Sequence, residues 1–95
     1  MLPIAVKDFE DIVDYLAQFY ESTAVQQYDR IVEKIQELAE LPEMYEAYPG
    51  GKFHHVYCRM PVDKYLVFYV VYDDVIEIHR ILHGSRNIHQ YLDQN

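Results

Sequence analysis

The sequence predicts an α+β fold: an N-terminal helical hairpin packed on a small antiparallel sheet of three strands, closed by a short C-terminal helix. Three observations predict it. Apolar residues recur at three- and four-residue steps through the first half, the period of amphipathic helices. The second half changes to two-residue alternation and to β-branched and aromatic runs, which suit strands. Proline, glycine and aspartate punctuation cuts those runs into short neighbours, and helices followed by strands define the α+β class.

In the first helix Val6, Phe9, Val13, Leu16 and Tyr20, joined by Ile12, form the apolar stripe, and Pro3 suits a first helical position. A break is expected at Glu21-Ser22. Thr23 with Gln26 three residues on has capping-box spacing and predicts the start of a second helix. Its stripe is Ala24, Tyr28, Ile31, Ile35 and Leu38, with Val32 and Ala39 beside it, and Pro42 ends it by removing a backbone donor. Two helices on so short a link fold back as a hairpin.

Tyr48-Pro49-Gly50-Gly51 marks a loop. A strand is expected over 52–60, where Val56, Cys58 and Met60 alternate with His55, Tyr57 and Arg59. Pro61 to Lys64 reads as a turn. Residues 65–72, apolar on both faces, read as the central strand. Asp73-Asp74 turns the chain into a strand over 75–82, where Ile76 and Ile78 alternate with Glu77 and His79; Gly84 ends it. Ile88, Tyr91 and Leu92 predict the closing helix. No repeat or linker interrupts the 95 residues, which read as one domain, 1–95.

Composition narrows the function. One cysteine, Cys58, allows no internal disulfide, which favours the cytoplasm. The first residues lack a basic stretch followed by an apolar one, so no signal peptide is expected, and no run nears the roughly 20 apolar residues of a bilayer span. A soluble protein without membrane partners is expected. The net charge of −8 argues against a simple nucleic-acid binder. That excess is confined: residues 1–46 hold eleven acids against three bases, while 47–95 hold five of each and all five histidines. A polyanion would have to meet the C-terminal half.

The run Ile78-His79-Arg80-Ile81-Leu82-His83-Gly84-Ser85-Arg86-Asn87-Ile88 resembles the ending of RelE/ParE superfamily toxins, an "I-x-R-V-L-H-G-x-R-D" motif. Arg59 through Tyr69 is similar to that family's strand–turn–strand, Ala5 to Tyr15 to its first helix, and Leu38 to Pro42 to its helix exit. The resemblance implies the toxin of a type II toxin–antitoxin module, neutralised by a cognate antitoxin. RelE-like members cut mRNA on the ribosome and ParE-like members poison DNA gyrase; a detoxified relative would only bind antitoxin or dimerise. The first reading is an attack on translation, by ribosome-dependent mRNA cleavage or otherwise, and gyrase poisoning is its alternative. Tyr65 stands where the nucleases carry an arginine before the central strand. The family's first strand has no counterpart before Pro3, which predicts a sheet edge completed by a second copy or by an antitoxin strand or extended tail.

Four residues are the catalytic candidates. The resemblance places Arg86 at the motif's arginine, where its planar fork suits a phosphate or a carboxylate; a salt bridge to an acid such as Asp93 is the structural alternative. His83 is the candidate proton shuttle, against a backbone-bonded histidine at a strand end. Tyr91 stands where nuclease relatives place an aromatic acid–base or stacking group, against an apolar anchor of the last helix. Arg59, with Lys52 and Lys64, makes a basic set around one hairpin, and in an RNA cleavage Arg86 or Arg59 would steady the phosphorane. Arg80 shares parity with Ile76 and Ile78, so it is expected on the core face, ion-paired to a helix acid. His79 and His89 are weaker candidates, and His54-His55 would point to opposite faces of a strand. No phosphate loop is present. Neither a metal nor a cofactor is expected.

Overall fold

The structure, a computed structural model, describes residues 1–41, 45–48, 55–73 and 75–92. Its elements are α1 (Pro3–Ala17), α2 (Glu21–Glu40), β1 (Cys58–Val62), β2 (Tyr65–Tyr72), β3 (Val75–His83) and α3 (Ile88–Leu92). The strands form one antiparallel sheet in the order β1-β2-β3. The expected α+β class and its element order are therefore present.

The helical hairpin covers one face of the sheet, α1 against β3 and α2 against β1. Its core joins Ala5, Ile31 and Leu38 to Met60, Val67, Tyr69 and Ile81. Side chains alternate across a strand, so Phe68 and Val70 leave β2 on the other side. There they join Tyr57, Leu82, Ile88 and Leu92 in a second core, sealed by α3. A central strand buried on both faces explains why 65–72 is apolar throughout. Burial also keeps Tyr69 protonated: desolvation, aided by Cys58, pushes its phenol up to about 12.

Four local expectations are corrected. The expected capping box does not form: α2 begins at Glu21 on an extended Tyr20 with no side-chain cap, which places Thr23 inside the helix. Its buried positions, Ala24, Ile31 and Leu38, stand seven residues apart on one face. On α1 the buried position is Ala5, whereas Val6 is 41% and Tyr20 71% exposed. The first strand is not 52–60 but Cys58–Val62, running through the expected turn; the turn proper is Asp63-Lys64. Pro61 is tolerated because β1 is an edge strand: among the described residues its pairing beyond β2 is the Ala47 bridge at Cys58, away from Pro61.

The fourth concerns Arg80. A bulge in β3 pairs Phe68 with Arg80 but Tyr69 with Ile78, so His79 is the extra residue. Parity reverses there. Ile78 and Ile81 share the hairpin face, and Arg80 moves to the face of Phe68 and Leu82. The expectations for Pro42, for Gly50-Gly51 and for residues 52–54 lie outside the described residues.

Both hairpin turns use an aspartate with positive φ, Asp63 at 55° and Asp73 at 51°, a conformation that short polar side chains accept better than most. Arg30 and Gln27 of α2 tie down the Asp63 carboxylate at 3.2–3.3 Å. The Arg30 hydrogen bond holds that carboxyl below its ordinary range.

Candidate functional site

Three of the four candidates meet at the end of β3. There a cleft of about 540 Å³ opens between α1, the turn after His83 and α3, and its lining includes Asp11, Tyr15, Tyr65, His83, Arg86 and Tyr91. Antiparallel pairing puts His83 opposite Tyr65, and their rings meet edge-on at 5.5 Å. The backbone N–H of Gly84 bonds the Lys64 carbonyl at 2.9 Å, fixing the turn that presents Ser85 and Arg86.

Asp8 and Arg80 support the cleft from below. The Arg80 Nε and Nη2 donate to the two Asp8 carboxylate oxygens at 2.7 and 2.9 Å, and Nη1 donates to the Tyr91 carbonyl at 3.3 Å. Asp8 also accepts the Ile81 backbone N–H at 3.0 Å. With side-chain exposures of 6% and 12%, this is a buried two-pronged pair, and it ties together α1, β3 and α3. The expected ion pair to a helix acid is present, although the bulge aims Arg80 at the α3 face. The same free edge of β3 receives the Leu2 N–H on the Ile78 carbonyl at 2.9 Å.

Tyr91 lies between two guanidiniums. Arg80 sits 5.3 Å and Arg86 5.6 Å from its ring centroid, and Arg86 Nη1 donates to the Tyr91 hydroxyl at 2.9 Å. Arg86 has no carboxylate partner among the described residues; the alternative partner Asp93 lies outside them. Among these residues it is a cation lining the cleft, braced by an aromatic ring. His83 is arranged differently. Its Nδ1 accepts the Ser85 backbone N–H at 3.1 Å and lies 2.7 Å from Ser85 Oγ. In the neutral ring that leaves the proton on Nε2, so His83 offers the cleft a donor.

Arg59 does not join this group. It lies over the Tyr48 ring at 5.1 Å, on β1, and does not line the cleft. Of its expected basic set, Lys52 lies outside the described residues and Lys64 is exposed at the hairpin turn. His89 packs against Tyr48 at 5.7 Å between centroids. His79 is buried at the bulge, 2.7 Å from Glu77 and edge-on to His55 at 4.9 Å. Desolvation lowers its pKa, and the Glu77 hydrogen bond opposes that shift. Among the described residues no three His, Cys, Asp or Glu side chains converge as a metal site would require.

Sequence reasoning did not single out Asp8, Asp11 or Tyr15, nor Ser85. The helical trio had a signal, since Asp8, Asp11, Ile12 and Tyr15 follow one helix face at three- and four-residue steps beside the apolar stripe. Ser85 had none, because its role depends on the His83 ring turning back over the following backbone.

No helix among the described residues is long and apolar enough to cross a membrane. Comparison with curated proteins gave no match. A family model described as "ParE toxin of type II toxin-antitoxin system, parDE" matches residues 2–88, which include the hairpin, the whole sheet and the cleft turn. The chain thus belongs to the ParE toxin family of type II toxin–antitoxin systems, a family that implies a cognate antitoxin as its partner.

Proposed function

We propose that this toxin acts by binding its target through the cleft at the end of β3, with DNA gyrase as the target, rather than by cutting RNA. The observation that carries the reading is that the two carboxylates of the cleft, the His83 Nδ1 and the Tyr91 hydroxyl already accept hydrogen bonds. Asp8 holds Arg80 and Ile81, Asp11 accepts from Lys7 at 2.9 Å, His83 Nδ1 accepts from Ser85, and the Tyr91 hydroxyl accepts from Arg86. Cleavage of RNA by its own 2′-hydroxyl needs a base within hydrogen-bond reach of that proton. A binding poison needs none. Tyr65, in place of the nucleases' arginine, and the acidic helical half support the same reading. Arg86 then serves recognition, gripping a carboxylate or phosphate of the target.

One observation favours the ribonuclease reading: His83, Arg86 and Tyr91 share one cleft. Inducing the wild type and two variants in cells separates the two. Binding predicts that His83→Ala still arrests growth, that Arg86→Ala weakens toxicity about 10-fold to 100-fold by losing a charged contact of roughly 1.5–3 kcal/mol, and that transcripts stay whole while DNA breaks accumulate. Cut transcripts, with arrest abolished by His83→Ala, would return the protein to the ribonucleases.

A further inference from the structure

In the turn that follows β3 the backbone N–H groups of Gly84, Ser85 and Arg86 are all engaged. Gly84 donates to the Lys64 carbonyl at 2.9 Å, Arg86 to the His83 carbonyl at 3.0 Å, and Ser85 to His83 Nδ1 at 3.1 Å. The last of these bonds fixes the imidazole. A ring nitrogen that accepts from a backbone N–H carries the lone pair, so the proton of the neutral ring is on Nε2. Ser85 Oγ lies 2.7 Å from the same Nδ1. That nitrogen has no proton to give, so the hydrogen between the two belongs to the serine, and Oγ–H donates.

A serine hydroxyl bonded to an unprotonated imidazole nitrogen is a nucleophile beside its general base, within the roughly 2.6–3.2 Å that such pairs use. Both residues line the cleft of about 540 Å³, and Ser85 is exposed there. The Tyr65 ring meets the His83 ring edge-on and holds it over the turn. The contact that withdraws His83 Nδ1 from an RNA hydroxyl thus readies Ser85 instead.

The electrophile follows from the donors that remain. Acyl transfer is served by backbone N–H groups aimed at the developing oxyanion, and the three of this turn are already committed. The side chains offer a cation. Arg86, next in the chain, lines the cleft with its guanidinium held on the Tyr91 hydroxyl at 2.9 Å. A planar guanidinium matches the oxygens of a phosphoryl group, and His83 Nε2–H is a second donor.

We propose that Ser85 is a nucleophile, with His83 as its base, that takes a phosphoryl group from an acyl phosphate or phosphoanhydride. Oγ forms the new bond to phosphorus. The P–O bond to the leaving group breaks and its electron pair stays on the leaving group. The serine's proton passes to His83 Nδ1 and from there to solvent. The product is a phosphoserine of about −1.5 to −2 charge beside Arg86, in the cleft through which the toxin is proposed to bind. The reaction itself does not rest on that binding.

The test incubates the full-length toxin with acetyl phosphate, a small mixed anhydride, and follows each serine by peptide mass spectrometry. The chain has two serines, and the other, Ser22, is exposed in the first turn of α2. Phosphoserine is expected at Ser85 at least about 100-fold faster than at Ser22, since one placed proton-transfer group is worth ~10² to 10⁴ in rate. Ser22 reports from the same molecules, so this comparison needs no variant. His83→Asn keeps a side-chain acceptor for the Ser85 N–H but takes up no proton, and should slow Ser85 to about the rate of Ser22. Arg86→Gln should slow it about 10-fold or more. Thermal melts confirm that both variants fold. Ser85 no faster than Ser22, an unchanged rate in either folded variant, or an acetyl group on Ser85 in place of the phosphoryl group overturns the proposal. Growth arrest and DNA breaks are read in a separate experiment, so the binding reading stands or falls on its own.

Discussion

Asp8→Ala tests the buried pair that joins three elements. Asp8 accepts two hydrogen bonds from the Arg80 guanidinium and one from the Ile81 backbone, and Arg80 is 5% exposed. Removing the carboxylate strands a guanidinium where water hardly reaches, and breaking one side of a buried ion pair costs about 3–5 kcal/mol. A domain of 95 residues holds about 5–14 kcal/mol in all. Roughly a fifth or more of the stability is therefore at stake. Urea unfolding followed by circular dichroism reads it: with a slope of about 1–1.5 kcal/mol per molar at this size, the midpoint should fall by about 2–5 M. Asp8→Asn keeps an acceptor for the Ile81 N–H and should fall less. The double variant Asp8→Leu/Arg80→Met should recover most of the loss, because well-packed apolar residues often replace a buried ion pair at little cost. A loss below about 1 kcal/mol for Asp8→Ala, or a double variant as weak as the two single variants combined, would refute the reasoning.

Two further predictions follow from single residues. The His79 pKa is lowered from 6.5, chiefly by burial, so the unfolded chain takes up its proton more readily than the folded one; its stabilising contribution is present above pH 6.5 and is lost as pH falls from there through the folded value. His79→Gln should therefore flatten the difference in urea midpoint between pH 7.5 and 5.5, and Glu77→Ala, which removes the opposing hydrogen bond and charge, should enlarge it; an unchanged difference in His79→Gln places the pH sensitivity elsewhere. Gly84 has no left-handed φ, and a Cβ there would meet the Lys64 carbonyl at 3.4 Å, ordinary contact. Gly84→Ala should then shift stability by less than about 1 kcal/mol, measured by thermal melting, and a loss above about 2 kcal/mol would mean that the turn carries strain this geometry lacks.

The sequence by itself determined the elements whose burial follows a local period. Residues 65–72 appear as the central strand with the expected bounds, because apolar residues on both faces fit only a strand covered twice. The helical hairpin and the closing Ile88–Leu92 helix were legible for the same reason, and the motif from Ile78 to Ile88, taken with the stretches Ala5 to Tyr15 and Arg59 to Tyr69 before it, pointed to the RelE/ParE superfamily. Only the tertiary structure decided the rest. Ideal alternation carries Arg80 to the hairpin face, but one extra residue at His79 reverses the parity, and that bulge is a property of the β2–β3 pairing rather than of β3. Pro61 reads locally as a turn and is admitted to β1 because no described residue pairs beyond that edge at its position. Thr23 and Gln26 have the spacing of a cap, yet the helix starts three residues earlier than the first helical position that cap implies, on an extended Tyr20. Arg86 and Tyr91, five residues apart, could be paired from sequence, but Asp8 and Arg80, separated by 72 positions, could not. Periodicity reports which face of an element is apolar; which charge waits on the facing element is settled by packing, and packing is non-local.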